Sequence, residues 1–313
     1  MGRSFLVNFF PVLLCAVFVC INAGAVPAGA QELPAGSIPL LISDHHADHA
    51  TFLLRRLAFE EKSAAMILVD AHPDTALNKN RDRIFLAFAA GEFMRPDTPE
   101  GDALFQNHNW IDPLFMPSLF GSLVWINRLA DTPDSGKMRG FLSSTAGWGG
   151  SSDYPKFIRA ITLNRLRDFE FPGDSDRTWD SRGRGMLVIS IDLDFFYLDN
   201  YTQADIPFVF DTLFEYSSRW NGEVIWAVCL SRAWLPSDDY AWELLQQSLR
   251  WFSGKPAFAP PTLTLFTKKR SGGSMKERAF NEMGMEAPSF FGKENEMPKD
   301  IRKLFGSLMP TQK

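Results

Sequence analysis

Apolar runs that break off into closely spaced polar residues recur along the chain, and they alternate with segments whose apolar positions follow a helical period. Residues 38–42 predict a short buried strand leading into Ser43-Asp44-His45-His46. Positions 47–62 predict a helix with Phe52, Leu53, Leu57 and Phe59 on its apolar face. A second strand over 66–70 completes a strand, helix, strand unit, whose crossover is expected to be right-handed. A helix follows over 80–93, closed by Gly91 and Pro96-Asp97, then a loop over 107–116 and a strand over 122–126. Residues 143–152 read as a Gly/Ser-rich loop, 154–169 as part helix and 172–185 as a polar connection.

The apolar run 187–192 predicts a strand and 204–220 a helix, with Asn221-Gly222 as a tight exit. Residues 224–230 predict another core strand, and a loop over 231–237 leads to a helix over 238–252 with Ser237 as its N-cap. A Pro-stiffened link, 256–261, precedes a last strand over 263–266, while the tail from 268 to 313 carries no assignable pattern. Apolar strands alternating with amphipathic helices predict an α/β fold: one domain over 31–313, three layers deep, with a mainly parallel sheet.

Composition agrees with that picture. Among the 313 residues, 45% are hydrophobic and 13% aromatic, enough for a substantial core. The net charge of -5, without a long basic stripe, argues against nucleic acid or an anionic membrane surface as a partner and leaves a small-molecule substrate as the expected one. At the start, Arg3 is followed by an apolar run over 5–21, interrupted by Asn8 and Pro11, and small residues lead to Ala28-Gly29-Ala30. This three-part pattern predicts a signal peptide over 1–30 and export to the periplasm or beyond. The alternative is an uncleaved anchor, since 5–26 approaches the roughly 20 residues that span a bilayer. Neither Cys15 nor Cys20 is preceded by the small residues of a lipoprotein site. With the leader removed, Cys229 alone remains, so no intrachain disulfide can form, and its place in an apolar run makes it a buried small hydrophobe rather than a nucleophile.

The chemistry gathers at the predicted strand ends. In Asp70-Ala71-His72-Pro73-Asp74 the polar side chains stand at i, i+2 and i+4, a spacing that puts them on one side of an extended segment. Asp192 and Asp194 repeat the i, i+2 spacing, and Asp44-His45 supply a further ligand at the first strand's end. Carboxylates this close repel one another unless some stay protonated or a cation joins them. The competing explanation is that Asp70 and Asp192 merely cap the helices that follow their strands. All five histidines fall between 45 and 108, with His45, His46 and His49 crowding one strand end.

Ser43-Asp44-His45, Asp70-Ala71-His72-Pro73-Asp74 and Ser190-Ile191-Asp192-Leu193-Asp194-Phe195-Phe196 together resemble the ligand pattern of the arginase/deacetylase (ureohydrolase) superfamily. More closely they resemble an uncharacterised arginase-like family sharing D-H, D-[AS]-H-P-D and I-D-L-D-F-F segments, over roughly residues 38–240. The resemblance implies an arginase/deacetylase-like three-layer fold and a two-metal site. Asp70 and Asp192 would bridge, His45 and Asp74 would complete one ion's shell, and His72 and Asp194 the other's. Four carboxylates and two imidazoles suit Mn²⁺ or Fe²⁺ better than a thiolate-type zinc site, although single-zinc deacetylases of the superfamily use an Asp, His, Asp subset.

The implied activity is a metal-dependent hydrolase of a non-peptide C–N bond, amide or guanidine/amidine, using a metal-activated water. A metal-containing binding or structural protein and a two-metal phosphoesterase are the alternatives. The chain departs from the arginases after Asp74, where Thr75-Ala76-Leu77-Asn78-Lys79 has no counterpart of their amino-acid-binding loop, and it lacks a match for their catalytic glutamate. Arginine is therefore not the expected substrate. Candidate proton shuttles are His46 and His108; Arg232 is placed to pair with a substrate carboxylate and Trp234 to wall the pocket.

Overall fold

Seven strands form one sheet in the order β4-β3-β2-β5-β6-β1-β7, and every pairing in it is parallel. They are β1 (Leu40–Ser43), β2 (Ala64–Val69), β3 (Phe120–Ile126), β4 (Phe157–Ile161), β5 (Met186–Asp192), β6 (Val224–Cys229) and β7 (Thr262–Leu263). Among the described residues four α-helices accompany them: α1 (Ala47–Leu57), α2 (Arg81–Ala89), α3 (Asp205–Ser218) and α4 (Asp238–Ser253). The computed structural model describes residues 37–57, 64–75, 78–90, 104–105, 109–115, 120–127, 157–169, 185–197, 205–259 and 262–263. These lie within one compact unit, Leu33–Lys313. The expected leader, the loop 143–152, most of the connection 172–185, the end of the last strand and the tail lie outside the described residues. No described helix is long and apolar enough to cross a membrane.

Alternate residues of a strand leave on opposite faces, and here both faces are covered, which is why β2 and β5 read as nearly unbroken apolar runs. On one face Ala65, Ile67 and Val69 of β2 and Leu187, Ile189 and Ile191 of β5 pack against Val209, Phe210 and Leu213 of α3 and Leu244, Leu245 and Leu249 of α4. On the other, Ala64, Met66, Leu68, Met186 and Val188 meet Ala50, Leu53 and Leu54 of α1 and Ile84 of α2. Two cores separated by one sheet make the three-layer α/β architecture that the sequence predicts. Pro207 is tolerated in α3 because it sits in the first turn, where its missing N–H would have had no helical partner. The α4 N-terminus is capped as expected, the Ser237 hydroxyl accepting from the Tyr240 N–H at 3.2 Å.

Strand order decides where a site can form. From β2 the chain moves outward to β3 and β4; it then returns to β5, next to β2, and moves the other way to β6. The carboxyl ends of β2 and β5 thus border the crevice of a topological switch point. Val69 pairs with Ile191, so Asp70 and Asp192 stand level on neighbouring strands, about 4.8 Å apart in a sheet of ordinary spacing.

The strands β1 and β2 of the expected strand, helix, strand unit lie in the same parallel sheet with β5 and β6 between them. One expectation needs correction. Within 154–169 the described residues form β4 and a short 3-10 turn, Leu163–Arg165, rather than part of a helix. That strand is five residues long, pairs on one side only among the described residues and carries an exposed Arg159, so it lacks the apolar continuity of the central strands.

The loops above α2 are tied by buried polar groups. Asn78 donates from Nδ2 to the Leu104 carbonyl at 2.9 Å and to Asn109 Oδ1 at 3.2 Å, while Asp112 Oδ2 accepts from the Asn78 N–H at 3.0 Å. Burial pushes the Asp112 carboxyl up to about 6, opposed by that N–H and by the charge of Arg81. A carboxyl held above its unfolded value binds its proton more tightly when folded, so its ionisation costs stability as pH rises from the unfolded value toward about 6. Asp112→Asn is expected to melt about 2–4 °C higher than the parent at pH 8, a gain of order 1 kcal/mol, with the difference gone near pH 4. Paired thermal melts at the two pH values check this.

Candidate metal centre

The acidic and imidazole side chains converge where the strands end. Asp70 directly follows β2, and Asp192 closes β5 on the face that carries Met186 and Val188. Asp194 sits in the 3-10 turn Leu193–Phe196. His46 lies in the turn between β1 and α1. Asp74 adopts a left-handed backbone, φ 49°, a conformation that Asp tolerates better than most residues and that turns its side chain out of the extended register of Asp70.

His46 Nδ1 lies 3.1 Å from Asp70 Oδ2, 2.8 Å from Asp74 Oδ2 and 3.2 Å from Asp192 Oδ2. His72 Nδ1 lies 3.2 Å from Asp194 Oδ2 and 3.8 Å from Asp70 Oδ1. Two groups of metal-ligating atoms result, His46 with Asp70 and Asp74, and His72 with Asp70 and Asp194, each within 4.8 Å and sharing Asp70. All of these side chains are buried except His72, which is 52% exposed.

Donors around the rim fix the carboxylates. The His72 N–H donates to Asp70 Oδ1 at 2.7 Å, and the Asp194 N–H to Asp192 Oδ1 at 3.1 Å. Trp110 Nε1 donates to Asp74 Oδ2 at 2.8 Å and the Ser231 hydroxyl to Asp192 Oδ2 at 2.5 Å. Ser231 is itself left-handed, φ 46°, so a second strained residue faces the cluster. Trp125 Nε1 donates to the Asp70 carbonyl at 2.9 Å.

Crowding shows in the proton affinities. Burial and the charges of Asp74 and Asp194 hold the Asp70 carboxyl well above its ordinary value, against His46. Asp194 is pushed up to about 6 by burial and by Asp192, with His72 opposing. Burial disfavours the imidazolium form of both site histidines, yet the carboxylates outweigh it. His72 rises to about 10 through Asp194, Asp70 and Asp74, and His46 rises well above its usual value through Asp192, Asp70 and Asp74. His49, deeper in, is lowered by burial and by the neighbouring His46.

The bonding pattern fits a divalent cation. His46 Nδ1 touches three carboxylate oxygens yet makes no well-formed hydrogen bond, and Asp70 Oδ2 and both Asp194 oxygens are likewise buried without a hydrogen-bond partner. A single N–H can be aimed along one acceptor direction, whereas a cation accepts several donors at once. These four atoms belong to residues of the two ligand groups.

Of the residues picked from sequence, the structure brings together Asp70, His72, Asp74, Asp192 and Asp194. His45 is in neither group; His46, one residue on and offered from sequence as a proton shuttle, is in the first of them. Asp44 is not in either ligand group. It is instead paired in a buried ion pair with Arg232, whose Nε donates to both Asp44 oxygens at 2.9 and 3.0 Å while the guanidinium lies over Trp242 at 5.3 Å. Arg232, offered from sequence as the partner of a substrate carboxylate, makes this ion pair within the chain. Trp234 lies beside His72, ring centroids 5.3 Å apart. His108 lies outside the described residues. Cys229 is buried and free, and burial with the nearby Asp192 raises its thiol well above the usual range, as befits an inert side chain. Sequence reasoning assigned no role to Trp110, Ser231 or Ser190, and noted His49 only as one of three histidines crowding a strand end; its i, i+3 spacing from His46 was the further signal available.

No protein-family model matches the chain, and no curated protein does. Among solved structures it is similar to Helicobacter pylori arginase, with 13% sequence identity over 69% of this chain and 73% of that one and a TM-score of 0.38.

Proposed function

We propose that this chain is an exported metal-dependent hydrolase that cleaves a non-peptide C–N bond, an amide or a guanidine/amidine. The observation that carries the reading is the set of buried, unpartnered donor atoms of His46, Asp70 and Asp194 converging at the switch point of the sheet. His46, Asp70, Asp74 and Asp192 would hold one ion, and Asp70, His72 and Asp194 a second. The hard, carboxylate-rich set favours Mn²⁺ or Fe²⁺ over zinc. When bound, the metal supplies a Lewis acid and a water acidic enough to act as nucleophile at neutral pH.

The chain's own residues supply the rest. Ser231, Trp110 and the two turn N–H groups orient the carboxylates. Trp234 lies beside the half-exposed His72 and would offer an apolar wall next to its imidazole.

Purified protein reconstituted with Mn²⁺ is expected to release amine or urea-type product from members of an acylated-amine and guanidino-compound panel, and to stop when the metal is chelated. Turnover of phosphate esters alone would replace this reading with a phosphoesterase; no turnover by a metal-loaded protein would leave a binding protein. Protons and metal compete for the same atoms, so the sign of the pH effect is fixed. His72, near 10 without metal, must lose its proton to ligate, and Asp194 gains one below about 6. Apparent Mn²⁺ affinity is expected to rise at least about tenfold per pH unit from pH 7 to 8, measured by calorimetric titration.

A further inference from the structure

Behind the metal centre, Ser190 joins two buried imidazoles. Its hydroxyl lies 3.0 Å from His46 Nε2 and 2.9 Å from His49 Nδ1, and all three residues are fully buried. The geometry is built into the fold. Ser190 follows Met186 and Val188 on the face of β5 that meets α1, and His46, just before α1, stands three residues ahead of His49 in its first turn. The two rings meet edge to face at 4.7 Å, and Trp110 closes over both, 4.7 Å from His46 and 5.7 Å from His49.

We propose that Ser190 and His49 are positioning residues that hold His46 in the one tautomer able to ligate metal through Nδ1. The inference rests on the metal reading above and goes beyond it. A hydroxyl has a single hydrogen, so Ser190 can donate to only one of the two imidazoles and must accept from the other. If His46 Nδ1 presents its lone pair to a cation, its proton is on Nε2 and is donated to Ser190 Oγ. The Ser190 hydrogen then goes to His49 Nδ1, and His49 carries its own proton on Nε2. Reversing the chain would place the His46 proton on Nδ1, facing the three carboxylates and blocking the cation. Ligating histidines generally need such a partner on the second nitrogen, and its loss typically costs about 10–100-fold in metal affinity.

The test is Mn²⁺ alone titrated into the full-length protein and four variants, followed by calorimetry, with ¹⁵N spectra of the His46 ring in the diamagnetic Zn²⁺-loaded forms. Ser190→Ala and His49→Phe remove a link and are expected to weaken Mn²⁺ binding by about 10–100-fold. Ser190→Thr keeps the hydroxyl and His49→Asn keeps an acceptor near the Nδ1 position, and both are expected to restore most of the affinity. In the wild type the His46 ring is expected to show a metal-bound Nδ1 and a protonated Nε2 whose resonance reports its hydrogen bond to Ser190, a shift that Ser190→Ala loses. A folded Ser190→Ala protein that binds Mn²⁺ as tightly as wild type, with an unchanged ring spectrum, overturns this proposal alone. A wild type that takes up no divalent ion overturns the metal reading and this one with it.

Discussion

Asp70→Asn is expected to leave the metal-free protein at least as stable as the parent while removing most of the stabilisation that Mn²⁺ confers. Asp70 is shared by both ligand groups, and burial with the charges of Asp74 and Asp194 already drives its carboxyl toward the protonated form, which asparagine imitates. The Asp70 Oδ1 that accepts the His72 N–H can be kept by the amide oxygen. What the amide cannot supply is a charged ligand bridging two ions. A supporting partner is worth about 10–100-fold in affinity, so a shared ligand should be worth at least about a hundredfold. For a site saturated a thousandfold above its dissociation constant, a hundredfold weakening lowers metal-linked stabilisation by about 2.7 kcal/mol. Thermal melts of parent and variant, with and without Mn²⁺, give the four values needed. A capping role for Asp70 predicts the opposite pattern, with lower stability and no dependence on metal.

Arg232→Met is expected to cost about 3–5 kcal/mol, the usual price of leaving a buried charge without its partner. Asp44 and Arg232 are both nearly inaccessible, and their pairing ties the loop after β1 to the loop after β6. The Ser231 N–H also donates to the Asp44 carbonyl at 3.1 Å, so the same contact seats the left-handed residue whose hydroxyl holds Asp192. Restoring neutrality with Asp44→Asn in the Arg232→Met background should recover a large part of the loss. A substrate-binding arginine would behave otherwise, with stability unchanged and substrate binding impaired. Denaturant unfolding of both single variants and the double variant separates the two roles.

The layered α/β fold was legible because central parallel strands are covered on both faces and must be apolar throughout. Met186–Asp192 and Ala64–Val69 announce themselves that way. The edge strand Phe157–Ile161 escaped for the complementary reason, since one-sided pairing asks less of its sequence. Spacing placed Asp70, His72, Asp74, Asp192 and Asp194 at strand ends, and register then set Asp70 level with Asp192. Spacing could not choose between His45 and His46. Adjacent residues in a turn point in different directions, and the choice is made by the start of α1, which aims His46 at the carboxylates and, one turn on, His49 at Ser190. The role of Arg232 was hidden too, because its partner Asp44 lies 188 positions away in the chain.

The central claim is that His46, Asp70, Asp74, Asp192, His72 and Asp194 hold divalent metal. A crystal structure of the Mn²⁺-reconstituted protein, with anomalous scattering collected at the manganese edge, tests it most directly. The expected result is an anomalous peak between His46 Nδ1 and the oxygens of Asp70, Asp74 and Asp192, with a second peak near His72 and Asp194 if the site holds two ions. A map without anomalous density there, from protein that also shows no metal above trace levels after reconstitution, would contradict it.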